Sequence, residues 1–211
     1  MLALEKKNWP LGILPAAAVI LAAIVLLLAP EEQTLGEGIK IVYVHVAFIW
    51  TGMVGLIAAG LLGLFVSVSA RRQVEAWNRV LGGVALGAFA IGLLLSGPAA
   101  SMNWGGVFWR EPRTLAALQV LAMGMIVQVL ILWPLPLRLK GLLHAALVGF
   151  MVWSIQSTPL VLHPDDPARA SGSLAIRATF FILFALTSLV AGWLVVIWRR
   201  HIRPHPTQVS D

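Results

Sequence analysis

Two histidines, His45 and His163, each stand where an apolar run meets a polar turn. A neutral imidazole is a good ligand for iron or zinc. A polar ring at the edge of an apolar span is costly unless it is hydrogen-bonded or ligating. Either histidine alone is served by a bond to a neighbouring loop. Two together open the question of a metal. A structural zinc site wants four ligands, for which Glu31, Glu32, Glu37, Glu111, Asp165 and Asp166 are the available donors.

The stretch Ser101-Met-Asn-Trp-Gly-Gly-Val-Phe-Trp-Arg-Glu-Pro-Arg113 points elsewhere. Trp104, Phe108 and Trp109 lie around Gly105-Gly106, and glycines beside large rings let a flat ligand or a backbone come close. Membrane proteins also carry aromatic belts at their interfaces, and Trp9, Trp77, Trp133 and Trp198 fit that description. Arg110, Glu111, Arg113, Arg169 and Arg177 form the charge set expected on the same membrane side as this loop. Such a set is either a solvated face worth little or a two-pronged receptor for carboxylates. No nucleophile–base pair, phosphate-cradling glycine loop or nucleotide motif occurs, which argues against an enzyme with its own catalytic machinery.

The elements that position these residues are membrane spans. The chain has 211 residues, 59% apolar and 11% charged. Soluble domains carry about 25% charged residues, so this chain cannot cover a water-facing surface. The net charge of +6 reads as basic residues at helix ends rather than as a nucleic-acid surface. The absence of cysteine excludes thiol redox chemistry and thiolate ligands. A span needs about 20 mostly apolar residues. Leu11–Ala29, Ile41–Ser69, Val80–Ala100, Thr114–Trp133, Gly141–Ser157 and Leu174–Trp198 qualify. The fold expected is all-α, a six-transmembrane-helix bundle in one domain over residues 1–200, with a short tail at 201–211. The first span is long for a secretory leader and is read as retained.

Lysine and arginine counts set the orientation. One set of flanks holds Lys6, Lys7, Arg71, Arg72, Arg79, Arg138, Lys140, Arg199, Arg200 and Arg203; the other holds Lys40, Arg110, Arg113, Arg169 and Arg177. Both termini are therefore expected in the cytoplasm and the Trp-rich loop outside, with His45 and His163. His144 falls near the inner end of its span, at headgroup level, and His201 and His205 fall in the tail. Gly52, Gly55, Gly60 and Gly63, and the Gly83/Gly87 pair, are expected to let helix backbones approach. Pro98, and Pro134 with Pro136, read as helix stops. Ser171 or Ser173 is placed to cap the last helix.

Tyr43-Val44-His45-Val46, at the start of the second span, resembles the Tyr-x-His-Val segment of the cytochrome c assembly family, haem-handling membrane proteins of the CcmC and CcsA type. The Trp-rich loop resembles that family's haem-binding loop. Trp153 through His163 to Arg177 is similar to the family's later tryptophan, outer histidine and final helix. The family loop reads Trp-x-Trp-Asp-x-Arg, where this chain has Phe108-Trp109-Arg110-Glu111-Pro112-Arg113. The resemblance covers about residues 38–200. It implies that His45 and His163 ligate the iron of a transiently bound haem b. Trp104, Phe108, Trp109, Glu111, Arg113 and Arg177 would line its edge. The implied function is haem binding and transport in cytochrome complex assembly, at the outer face of the inner or plasma membrane. The implied partners are other maturation proteins, an ABC transporter complex among them, and membrane lipid. Two other functions fit the same spans: a permease-type subunit for another solute, supported by Gln119, Gln128 and Gln156, and a membrane scaffold without cofactor.

Overall fold

A computed structural model describes residues 12–159 and 171–201. The described chain is all helical: α1 (Ile13–Leu27), α2 (Ile39–Ser69), α3 (Arg72–Trp104), α4 (Pro112–Leu130), α5 (Leu137–Gln156) and α6 (Leu174–His201). Five of them, α2 to α6, are long and apolar enough to cross a membrane. Large apolar side chains face outward, with Leu27, Val68 and Leu94 more than three-quarters exposed. That surface suits hydrocarbon and not water. α1 has 15 residues. It rises only about 22 Å, short of the ~30 Å hydrocarbon core.

α2 and α3 form the central hairpin, closed by Ala70 in the left-handed region at φ 50°. Their close approach is built on glycine. A Cβ at Gly52 would lie 2.5 Å from the Phe89 backbone nitrogen, and one at Gly92 would lie 2.7 Å from that of Ile49. Gly60 and Gly63 do the same on the other flank of α2, where added carbons would meet Val148 and the Gly141 carbonyl of α5. The expectation for α2 therefore holds. It fails for Gly83 and Gly87: a Cβ at Gly87 meets nothing within 4 Å, and one at Gly83 meets only Gln128 Oε1 at 3.7 Å. In α3 the packing glycines are instead Gly82 and Gly92.

α4 packs on α5 and α3 to one side of the hairpin, and α1 packs on α6 to the other, with α6 against α2 and α3. Residues that touch fix the directions. Tyr43 meets Phe180, and Thr51 meets Thr187, so α2 and α6 run parallel. Gly63 meets Gly141 and His144 near the start of α5, so α5 runs against α2. One end of the bundle thus carries the 28–38 turn, the 105–111 loop and the start of α6. The other carries the 70–71 turn, the 131–136 turn with Pro134 and Pro136, and the basic end of α6.

α3 is longer at both ends than the expected Val80–Ala100 span and passes straight through Pro98. Pro98 is therefore not a helix stop. It forfeits one helical bond only six residues from the helix end, where a lost turn costs least. The stop is Gly105, at φ 75°, whose N–H donates to the Ser101 carbonyl at 3.1 Å. This is the left-handed residue that ends many helices. Ser173 takes the expected capping place on α6, its hydroxyl accepting from Ile176 N–H at 3.4 Å.

Candidate functional site

His45 sits in the second turn of α2, held by contacts on either side of it. Tyr43 is fully buried. Its hydroxyl donates to the Pro30 carbonyl at 3.0 Å, and its ring meets Phe180 edge-on at 4.7 Å. Those contacts pin the 28–38 turn and α6 to the start of α2. On the α3 side, the imidazole Nδ1 of His45 lies 2.7 Å from the Gly92 carbonyl oxygen. A carbonyl only accepts, so Nδ1 carries a proton and donates it to Gly92. This is how ligating histidines are commonly oriented, with the other ring nitrogen on a backbone carbonyl. Gly92 permits it by letting α2 approach.

The Trp-rich loop is built at the same end. Asn103 donates from Nδ2 to the Ala99 and Gly38 carbonyls, at 2.8 and 3.1 Å, tying the last turn of α3 to the residue before α2. His45 follows Gly38 by seven residues, a rise of about 10 Å along α2. It therefore lies inside the bundle, below the level of the loop. Trp104 and Phe108 are each 44% exposed and Trp109 is 66% exposed. Added carbons at Gly105 and Gly106 would meet nothing within 4 Å, so the loop face around them is open.

Glu111 and Pro112 launch α4. The Glu111 carboxylate is 4% exposed and accepts from the Thr114 N–H at 2.7 Å and the Thr114 hydroxyl at 3.1 Å, with Pro112 in the first helical turn. An acidic N-cap with proline at N1 is a standard start for a helix. Glu111 thus has a structural duty that Glu-Pro-Arg-Thr spelled out in the sequence. Arg113, in the first turn of α4, and Arg177, in that of α6, both lie at this end. Each has its Nε buried without a hydrogen-bond partner. An unsatisfied guanidinium N–H in a buried setting is costly and suits an anionic ligand.

His163 and Arg169 lie outside the described residues. Among the described residues no three His, Asp or Glu side chains gather as a metal-ligating group.

The sequence reading passed over His144. It is 2% exposed, facing the bundle interior, and sits in a polar cluster with Asn78 and Gln128. Its Nδ1 donates to the Lys140 carbonyl at 3.2 Å, and Nε2 lies 3.5 Å from Gln128 Nε2. Gly82 makes room, since a Cβ there would fall 2.6 Å from His144 Nε2. Asn78 is 1% exposed, with its Oδ1 unpartnered. The signal was available: Gly141, His144, Leu147, Met151 and Ser154 make one helical stripe, and it is the buried face of α5.

No family model matches the chain, and no curated protein matches it.

Proposed function

We propose that this chain is a haem-binding membrane protein of cytochrome c biogenesis. It holds haem at the outer face of the inner or plasma membrane and presents it to a maturation partner. The observation that carries the reading is the His45 imidazole. Its proton is committed to the Gly92 carbonyl, and it lies at the same bundle end as three exposed aromatic rings. His45 and His163 would hold the iron. Trp104, Phe108 and Trp109 would cover the macrocycle. Arg113 and Arg177, with their buried Nε groups, would take the carboxylates. The Glu111 cap fixes where α4, and so Arg113, begins. When bound, haem supplies a redox-active iron and two carboxylates; the protein binds and orients it, as proteins do for cofactors. Its partners would be other maturation proteins and an ATP-driving transporter complex.

The proposal includes α1 as a sixth span, with both termini cytoplasmic. Cysteines at Thr34 and Gly172 should then react with an impermeant thiol reagent from outside, and one at Gln73 should not. The inverted pattern overturns the orientation. For the haem reading, detergent-purified protein is titrated with haem. A six-coordinate low-spin Soret spectrum that is lost in His45→Ala supports it. An unchanged free-haem spectrum sinks it.

A second reading, a permease-type subunit for another solute, draws on the polar cluster of buried Asn78 and His144 with half-buried Gln128, since polar groups inside a membrane bundle commonly mark a pathway. Solute flux that depends on His144, in protein that takes up no haem, would favour it.

A further inference from the structure

A groove of about 730 Å³ runs along the side of the bundle between α1 and α3, floored by α2 and α6. It exists because α1 packs on α6 and forms no comparable seam with α3. Gly83 and Gly87, the pair expected to pack against another helix, line it instead. It extends on α6 from Leu183 to His201. Those 19 residues rise about 27 Å, close to the hydrocarbon thickness.

The walls are almost wholly apolar, and the hydroxyls among them are spoken for. Thr51 and Thr187 bond to one another at 2.7 Å, Thr51 also meets Ser188 at 3.1 Å, and Thr187 meets the Leu183 carbonyl at 2.9 Å. Water in such a groove would find few partners, and an empty space of this size forfeits packing. The filling that suits it is hydrocarbon.

The chemistry at one end says which hydrocarbon. Trp198 and His201 line the groove where α6 ends, and Arg199 and Arg200 stand between them. The Arg199 guanidinium lies 5.7 Å from the Trp77 ring centroid of α3, on the other side of that end. Arg71 and Arg72, both exposed, sit in the adjoining turn, where Glu75, in the first turn of α3, is the one acid among the described residues at this end. An apolar slot that ends among arginines matches a molecule with hydrocarbon chains and a phosphate.

We propose that the α1–α3 groove binds one acidic phospholipid, with its acyl chain along Gly83 and Gly87 and its headgroup among Arg72, Arg199 and Arg200. The site is independent of the haem reading. It is built from the bundle's basic end, whichever side of the membrane that end faces. Each basic residue near a membrane surface contributes on the order of 1 kcal/mol toward anionic lipid, roughly fivefold in retention.

The test is native mass spectrometry of the full chain in mild detergent, after equilibration with phosphatidylglycerol or with phosphatidylcholine. Wild type should retain one phosphatidylglycerol and at least tenfold less phosphatidylcholine. Gly87→Phe, which fills the groove where an added Cβ would meet nothing within 4 Å, should retain neither. Arg199→Gln with Arg200→Gln should lose the preference for phosphatidylglycerol by about twentyfold while still admitting a lipid. Circular dichroism checks that the variants are folded. If Gly87→Phe fails to insert, Gly83→Leu carries the same test. Equal retention of both lipids by wild type overturns the proposal. So does unchanged retention in the filled variant, recovery of a neutral isoprenoid instead, or a second copy of the chain seated in the groove.

Discussion

The Nδ1 of His45 lies 2.7 Å from the carbonyl oxygen of Gly92, and a Cβ at Gly92 would lie 2.7 Å from the Ile49 nitrogen. The same glycine therefore supplies the acceptor that sets the imidazole tautomer and the clearance that lets α2 come near enough to use it. Gly92→Ala should push the two helices apart. Overpacking of this kind costs about 1–3 kcal/mol. Thermal melting in detergent should record that loss. On the proposed function, haem retention should fall as well, because His45 is no longer held. Retention equal to wild type in a destabilised Gly92→Ala protein would mean that the carbonyl does not orient the ligand.

Trp104 and Trp109 are exposed at the end of α3 and in the loop that follows. Stacking of a flat ring on an aromatic side chain is worth about 1–3 kcal/mol per contact, by analogy with bases. Trp104→Ala and Trp109→Ala should each lower haem affinity by roughly fivefold to more than a hundredfold on that scale, with insertion unchanged. Titration of the Soret band reads the affinity. Two variants that bind haem like wild type would leave both residues as members of an interfacial aromatic belt.

Glu111 makes a different forecast, because its carboxylate caps α4. Losing a capping side chain costs about 0.5–2 kcal/mol. Glu111→Ala should lower the melting temperature, and Glu111→Asp should recover part of it, since aspartate caps well. If Glu111→Ala loses haem binding while keeping its melting temperature, Glu111 contacts the ligand and its role as a cap is secondary.

Much of this was legible. Five of the six expected spans are helices long and apolar enough to cross a membrane, because a bilayer imposes a length on any helix that crosses it. The glycines of α2 announced close packing. The Gly83/Gly87 pair announced the same and was left open, since GxxxG permits a neighbour without supplying one. Pro98 looked like a stop because proline is costly in a helix interior, yet near the end of a 33-residue helix the loss is local. His144 was passed over because depth along α5 was read and the face was not. At the candidate site, residue types were readable in advance. What was not readable was the pairing of His45 with Gly92, a contact across 47 residues that exists only once two helices pack.

The 28–38 turn gives a prediction in pH. The Glu32 carboxylate accepts from the Leu35 N–H at 2.9 Å and the Thr34 N–H at 2.8 Å, closing a turn that also holds Gly36 at φ 52°. Those backbone donors, Leu35 first and Thr34 next, hold the carboxyl below the ordinary glutamate value of 4.5. A carboxylate whose folded value is depressed adds stability that is fully present above the unfolded value. That stability is lost as pH falls through the folded one. The turn should therefore be indifferent to pH from neutrality down to about 5 and loosen below about 4, near the unperturbed glutamate range. Hydrogen exchange at the Thr34 and Leu35 amides, corrected for the intrinsic pH dependence, should show protection falling in that lower window. In Glu32→Gln, protection should be reduced at neutral pH and lack that acid step. The loosening should stay local, because Tyr43 still ties the Pro30 carbonyl to the start of α2. A wild-type protection profile that is flat to pH 3, or a variant that keeps the acid step, would assign the closing of this turn to some group other than Glu32.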